Sequence, residues 1–251
     1  MNGVFQKTFQ EKGTAAKKRL REYVEEQREE QIHNLRTSIR RLESAYLVFP
    51  KSCKRKKTDV FVSSYKSLFR KNSIIRDLDV IYEKLNAELS KNSDVLQFLV
   101  KHKEKKLSTV LKDAKKLSKL KIPKIKEISD TEILQKYERT ISSLIDKIQK
   151  YIPIVASDES KIDELHSLRK TAKKLRYVLE LDPDNSYHHT IVSMRTFQRL
   201  LGEIHDRDIS IDFLKAYSNK FPELQSLILK EQNTRTQIYK RLAISLSDSK
   251  I

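Results

Sequence analysis

A histidine, an arginine three residues on and further bases one turn beyond occur together twice in this chain. Residues 33–45 read HNLRTSIRRLESA and residues 166–178 read HSLRKTAKKLRYV. His33, Arg36, Arg40 and Arg41 are matched, at an offset of 133, by His166, Arg169, Lys173 and Lys174. Arginine presents planar, bidentate donors to phosphate or carboxylate oxygens, and lysine a mobile point charge. Histidine adds a donor that becomes cationic near a reference pKa of about 6.5. The chemistry open to such a set is capture of an anion. If both histidines face it, binding tightens as the pH falls from about 8 to about 6.

For these residues to act together they must share a helical face. With His33 set at zero and about 100° per residue, Arg36, Thr37, Arg40 and Ser44 fall within about 60° of it. Leu35, Ile39, Leu42, Tyr46 and Phe49 fall on the other side. In the second copy His166, Arg169, Lys170, Lys173 and Tyr177 share one face, and Leu168, Ala172, Leu175 and Leu179 the other.

A second echo follows each copy. Residues 61–85 (FVSSYKSLFRKNSIIRDLDVIYEKL) match residues 190–214 (TIVSMRTFQRLLGEIHDRDISIDFL) at an offset of 129. Lys66 and Arg70, one turn apart, correspond to Arg195 and Arg199, and Arg76 to His205. The plainer reading is that all these bases simply face solvent. Against it, HNLRTSIRR and HSLRKTAKKLRY contain no acid, whereas a solvated helix mixes signs through i,i+4 pairs.

The charge balance agrees with an anionic partner. There are 52 Lys+Arg against 34 Asp+Glu, a net charge of +18, which implies nucleic acid, an anionic membrane surface or another phosphate polymer. Three Gly and five Pro leave little punctuation for hairpins and favour long helices, an all-α chain. No apolar run approaches a membrane span of about 18 residues, and nothing resembles a signal h-region, so a soluble, cytoplasmic protein without membrane insertion is expected. Cys53, the only cysteine, allows no intrachain disulfide. It sits in KSCKRKK, where positive charge can lower a thiol pKa, but with no His or acid beside it in sequence it reads as an incidental thiol and not a nucleophile.

Other chemistries have little support. The histidines at 33, 102, 166, 188, 189 and 205 form no HxxxH or HExxH pattern, so neither a metal nor another cofactor is implied. Asp77/Asp79 and Asp206/Asp208 lie about 200° apart within each pair on a helix and do not chelate one ion; one of each pair is expected to anchor a cleft base. No nucleophile or paired-carboxylate arrangement is present, and a binding protein rather than an enzyme is expected.

The helices expected to carry these residues run as follows. Residues 1–13 read as a loose lead-in. Helical patterns cover 14–31, 33–49, 58–71, 74–90 and 94–118, with Asn72-Ser73 as a break and Ser73 as an N-cap. The stretch 119–129, containing Pro123, reads as a boundary. Helices then cover 131–152, closed by Pro153, and 160–181, with a break at Pro183 and Asn185. The last three, 187–201, 203–219 and 223–246, have Gly202 as a break. DVFVSSY (59–65) has strand character but is assigned to helix with its echo HTIVSMR.

HxLRxxxRRL with RDLDV, then HxLRKxxKKLRYxLE with LGEIHDRD, resemble the CHAD domain, the conserved-histidine α-helical domain, over about residues 14–247. The resemblance implies an all-α fold of two pseudo-symmetric four-helix bundles, 14–120 and 130–247, produced by internal duplication around a basic central cleft. It implies a stand-alone form without the triphosphate-tunnel (CYTH) domain. It also implies binding of inorganic polyphosphate, with association with polyphosphate granules. Carried over, the contacts are His33, Arg36, Arg40, Arg41, His166, Arg169, Lys173 and Lys174, with Lys66, Arg70, Arg195 and Arg199 beside them. Asn72-Ser73 departs from the Leu-Gly pair seen at Leu201-Gly202. The alternatives are non-specific binding of single-stranded RNA or DNA, and a helical adaptor that sets the Lys-rich 94–118 helix against an acidic protein.

Overall fold

The computed structural model describes residues 3–182 and 184–248, so Pro183 lies outside the described residues. Eight α-helices are described: α1 (Val4–Glu25), α2 (Glu29–Leu47), α3 (Lys56–Glu88), α4 (Asp94–Ser118), α5 (Asp130–Ser157), α6 (Ile162–Leu179), α7 (His188–Tyr217) and α8 (Gln225–Asp248). Short 3-10 turns occur at Lys51–Cys53 and Pro222–Leu224, and no strand is present among the described residues. The strand-like DVFVSSY is helical, within α3.

Four local signals lose to longer-range packing. Residues 4–13, expected as a loose lead-in, are the first turns of α1, because Phe5 and Phe9 are buried. Gly3, at φ 79, donates its N–H to both carboxylate oxygens of Asp130 at 3.2 Å. Asn72-Ser73 does not break α3. Ser73 donates its hydroxyl to the Phe69 carbonyl at 3.1 Å, a bond made inside a helix, not at its N-cap. Gly202 likewise lies inside α7, where its cost against alanine is about 1 kcal/mol. Pro153 removes one backbone donor but α5 runs four residues further. That last turn is held by buried Val155, whose carbonyl accepts from the Tyr239 hydroxyl at 2.7 Å.

The chain divides into two compact units. Unit 1 comprises the described parts of Met1–Arg76, Lys101–Ser142 and Tyr177–Ser186; unit 2 comprises those of Asp77–Val100, Ser143–Arg176 and Tyr187–Ile251. Helices α3, α4, α5 and α6 each contribute residues to both units. The order along the chain is four helices, an extended segment, then four helices.

In unit 1 the core is built from Phe9, Leu20, Tyr23, Ile32, Leu35, Ile39, Leu42, Phe49, Tyr65 and Ile75, all essentially inaccessible. The core face projected for α2 is therefore buried as expected. The extended segment 119–129 belongs to this unit and runs antiparallel to α1. Its carbonyls at Leu120, Pro123 and Ile128 accept from Lys17, Gln10 and Gln6 in turn. Gly13 admits it: a Cβ there would lie 3.0 Å from Ile122 Cγ2.

In unit 2 Leu78, Ile81, Leu85, Val95, Leu96 and Leu99 pack against Phe213, Leu214, Phe221 and Leu224. A polar network ties α3 and α7 to α8. Lys84 donates to the Asp206 carbonyl at 2.7 Å and pairs with Glu231 at 3.3 Å, while Arg207 reaches the same carboxylate at 2.5 Å.

Candidate functional site

In unit 1 the α2 bases meet α3 at one aromatic ring. The guanidinium carbons of Arg36 and Arg40 each lie 4.6 Å from the Phe69 ring centroid, within cation–π range. Arg36 also donates from Nη1 to the Ser73 hydroxyl at 2.9 Å. Positions 66, 69, 70 and 73 share one side of α3 by helical spacing, so Lys66 and Arg70, both exposed, flank the ring that holds the arginines. His33 is exposed at the start of the same α2 face. Arg41 lies at the edge of the set and pairs with Glu180 at 3.3 Å. That carboxylate lies 139 residues away in sequence, so the absence of acids within the motif does not mean their absence around it.

Two residues projected on the basic faces are not there. Ser44 and Tyr177 are buried, at 4% and 6% exposure. Both sit near helix ends beside neighbouring elements, where packing overrides the projection.

In unit 2 the matched positions carry different chemistry. The position corresponding to Phe69 is Gln198, buried, whose amide donates to the Ala172 carbonyl of α6 at 2.9 Å. The position corresponding to Ser73 is Gly202, where an added Cβ would meet no atom within 4 Å. The position corresponding to Arg76 is His205, and its ring lies 4.7 Å, centroid to centroid, from that of His166. In unit 1, Arg76 instead pairs with Glu29.

His166 and His205 are both half-buried. Burial, then the Lys170 and Arg169 charges, pull His166 below the usual histidine value, with Asp163 opposing. His205 is pulled down to about 3 by burial, then by Arg169, His166, Lys173 and Lys170. The expected gain of charge on His166 between pH 8 and 6 is therefore displaced to lower pH in the ligand-free protein. Lys174, Arg195 and Arg199 are exposed, and Arg199 pairs with Glu203 one turn on at 2.6 Å.

Asp208 serves a base other than those expected. Asp208 binds Arg235 of α8 at 2.5 Å, with the two side chains 13% and 10% exposed, and Arg235 also donates to the Glu159 carbonyl at 3.0 Å. Cys53 does not have a lowered thiol pKa. It is buried, donates to the Pro50 carbonyl at 3.0 Å, and burial pushes it up. Sequence reasoning missed Phe69 as the ring under the arginines, although its position between Lys66 and Arg70 was a signal. It noted His205 only as the counterpart of Arg76. Among the described residues no group of three or more His, Cys, Asp or Glu side chains is placed to hold a metal ion. No helix there is long and apolar enough to cross a membrane.

Fold and site together define an all-helical, strongly basic protein whose matched helical faces carry two chemically distinct sets of basic groups. The model of the CHAD domain family matches residues 11–215, and the chain belongs to that family. Among solved structures it is similar to the crystal structure of the CHAD domain from the plant Ricinus communis, at 14% identity. That likeness covers 98% of this chain and 91% of the other, with a TM-score of 0.64, and is one of fold. No curated protein matches the chain.

Proposed function

We propose that this protein binds inorganic polyphosphate through the two sets of bases, as a binding protein and not a catalyst. The observation that carries this reading is the arrangement on Phe69. Two guanidiniums are ordered over one ring, and one of them is fixed further by Ser73. Polyphosphate is a repeating phosphate chain with no base edges and no apolar face, so charge, donor geometry and the prior ordering of donors must supply affinity. Arg169, Lys173 and Lys174 offer a second set at matched positions. Membership of the CHAD family supports this ligand over other polyanions, and a cytoplasmic location at polyphosphate granules belongs to the same proposal.

Nucleic acid is the rival ligand, and Phe69 argues against it. Single-strand binders use open aromatic faces as stacking platforms, whereas this ring already carries two guanidiniums. The test is competition among long-chain polyphosphate, single-stranded RNA and duplex DNA at two salt concentrations, with wild type and Arg36→Ala/Arg169→Ala. Polyphosphate is expected to win, with affinity falling steeply with salt, and the double variant to bind weakly. RNA or DNA outcompeting polyphosphate would falsify the ligand; normal binding by the double variant would remove the site.

A further inference from the structure

Unit 2 places two imidazoles in contact where unit 1 has a single exposed histidine and an arginine paired to an acid. His166 of α6 and His205 of α7 have ring centroids 4.7 Å apart, and both are half-buried. The groups acting on them from α6 are Arg169, Lys170 and Lys173, all cationic, with Asp163 as the acid acting on His166. Of the neighbouring charges on α7, Glu203, Arg207 and Asp208 have partners elsewhere, and the Asp206 carboxylate, next in sequence to His205, is a further acid on this helix. Glu203 pairs with Arg199, Arg207 with Glu231, and Asp208 with Arg235, while Asp206 gives its carbonyl to Lys84. The environment of the two rings is thus cationic, which suits an anion and repels a metal ion.

The helix surface next to these rings is also open. Gly202 is one turn before His205 on α7, and the space a side chain would fill there is open. At the sequence-matched position Ser73 fills the space with a hydroxyl that accepts from Arg36. Glycine leaves the helix surface beside His205 bare, so an oxyanion can approach the backbone closely.

We propose that His205 is a phosphate ligand, acting with His166, Arg169 and Lys173 over the bare surface at Gly202, and that phosphate binding there takes up protons. The proposal rests on the polyphosphate reading. Without an anion, burial and the surrounding cations hold both rings below the usual histidine value, His205 down to about 3. A phosphate chain against them reverses the sign of the local field, and each ring that gains a proton becomes a donor on both nitrogens. The bound state holds more protons than the free state, so affinity rises as pH falls through the bound-state pKa values, by about tenfold per pH unit for each proton taken up.

The test is isothermal titration calorimetry with long-chain polyphosphate at pH 5.5, 6.5 and 8, in buffers of different ionisation enthalpy, on wild type, His205→Gln and Gly202→Ser. Wild type is expected to take up about one proton at the acidic end and none at pH 8. His205→Gln is expected to lose most of that uptake and, with it, most of the rise in affinity between pH 8 and pH 5.5. Gly202→Ser, which favours the helix, is expected to bind several-fold more weakly at acid pH. Imidazole NMR of the wild-type protein gives a measurement free of variant folding: the His205 pKa must rise when polyphosphate is added. An unchanged His205 pKa, or wild-type proton uptake in His205→Gln, overturns the inference while leaving polyphosphate binding intact. Proton-neutral binding by wild type does the same. Absence of polyphosphate binding by wild type overturns both readings.

Discussion

Replacing Phe69 with leucine separates ordering of the arginines from their charge. The ring holds two guanidiniums at 4.6 Å each, and a half-exposed cation–π contact contributes about 0.5–1 kcal/mol. Leucine keeps most of the apolar volume and removes no charge. The arginines then enter a complex less ordered, Arg36 keeping its bond to Ser73, and ordering a long side chain costs up to about 0.5–1.5 kcal/mol. Two arginines give a range of about 1–3 kcal/mol, which the strength of the lost contacts caps at about 1–2 kcal/mol. Affinity for polyphosphate is therefore expected to fall about 5- to 30-fold. The assay is the dissociation constant across a salt series. Phe69→Leu should shift the whole line without changing its slope, because as many phosphates are still neutralised. Arg36→Ala should lower the slope by about one. A thermal melt checks that the fold survives, since a Phe→Leu exchange at a half-buried site costs little more than about 1 kcal/mol. Wild-type affinity in a folded Phe69→Leu protein, or a changed slope, refutes the argument that ordering on this ring supports binding.

Two stability predictions follow from unit-specific packing. Asp208→Ala leaves Arg235, whose side chain is 10% exposed, without its carboxylate, and should cost about 3–5 kcal/mol in urea unfolding; a loss under about 1 kcal/mol means that solvent or Glu159 compensates. Gly13→Val drives a side chain into Ile122, already 3.0 Å from where a Cβ would lie. It should cost about 1–3 kcal/mol and speed proteolysis within 119–129, and unchanged cleavage would mean that this segment is not held by α1.

Much of the helical content was legible because it depends on periodicity. The α2 and α6 faces, with Leu35, Ile39 and Leu42 or Leu168, Ala172 and Leu175 inward, follow from spacing alone. The 94–118 helix has the limits expected of it. What misled was punctuation. Asn72-Ser73, Pro153 and Gly202 are local signals whose cost is about 1–3 kcal/mol, and a long helix packed along its length absorbs that. The opposite error occurred at residues 4–13, where polar residues hid the two buried aromatics Phe5 and Phe9. In the site, the bases were legible as a set, but their partners were not. Glu180 reaches Arg41 from 139 residues away, and Arg235 takes Asp208 from α8. Such contacts depend on which helix faces which, and no spacing rule carries that.

The sequence match also hid a difference in chemistry that only contacts disclose. Positions 33, 36, 40, 69, 73 and 76 align with 166, 169, 173, 198, 202 and 205, yet the first set is organised by a ring and a hydroxyl and the second by an amide, a bare helix surface and two imidazoles. Arginine stays charged at any pH the protein meets, so on the proposed reading Arg36 and Arg40 attract phosphate with a strength that salt alters and pH does not. On the same reading the unit 2 set contains two groups whose charge responds to the ligand, because burial and nearby cations hold both below the usual histidine value and a bound anion opposes that. On the proposed reading, the two responses separate experimentally. Variants of Arg36 and Arg40 change the salt dependence at every pH, while variants of His205 change the pH dependence at every salt concentration. A duplicated motif that served one purpose twice would show neither separation.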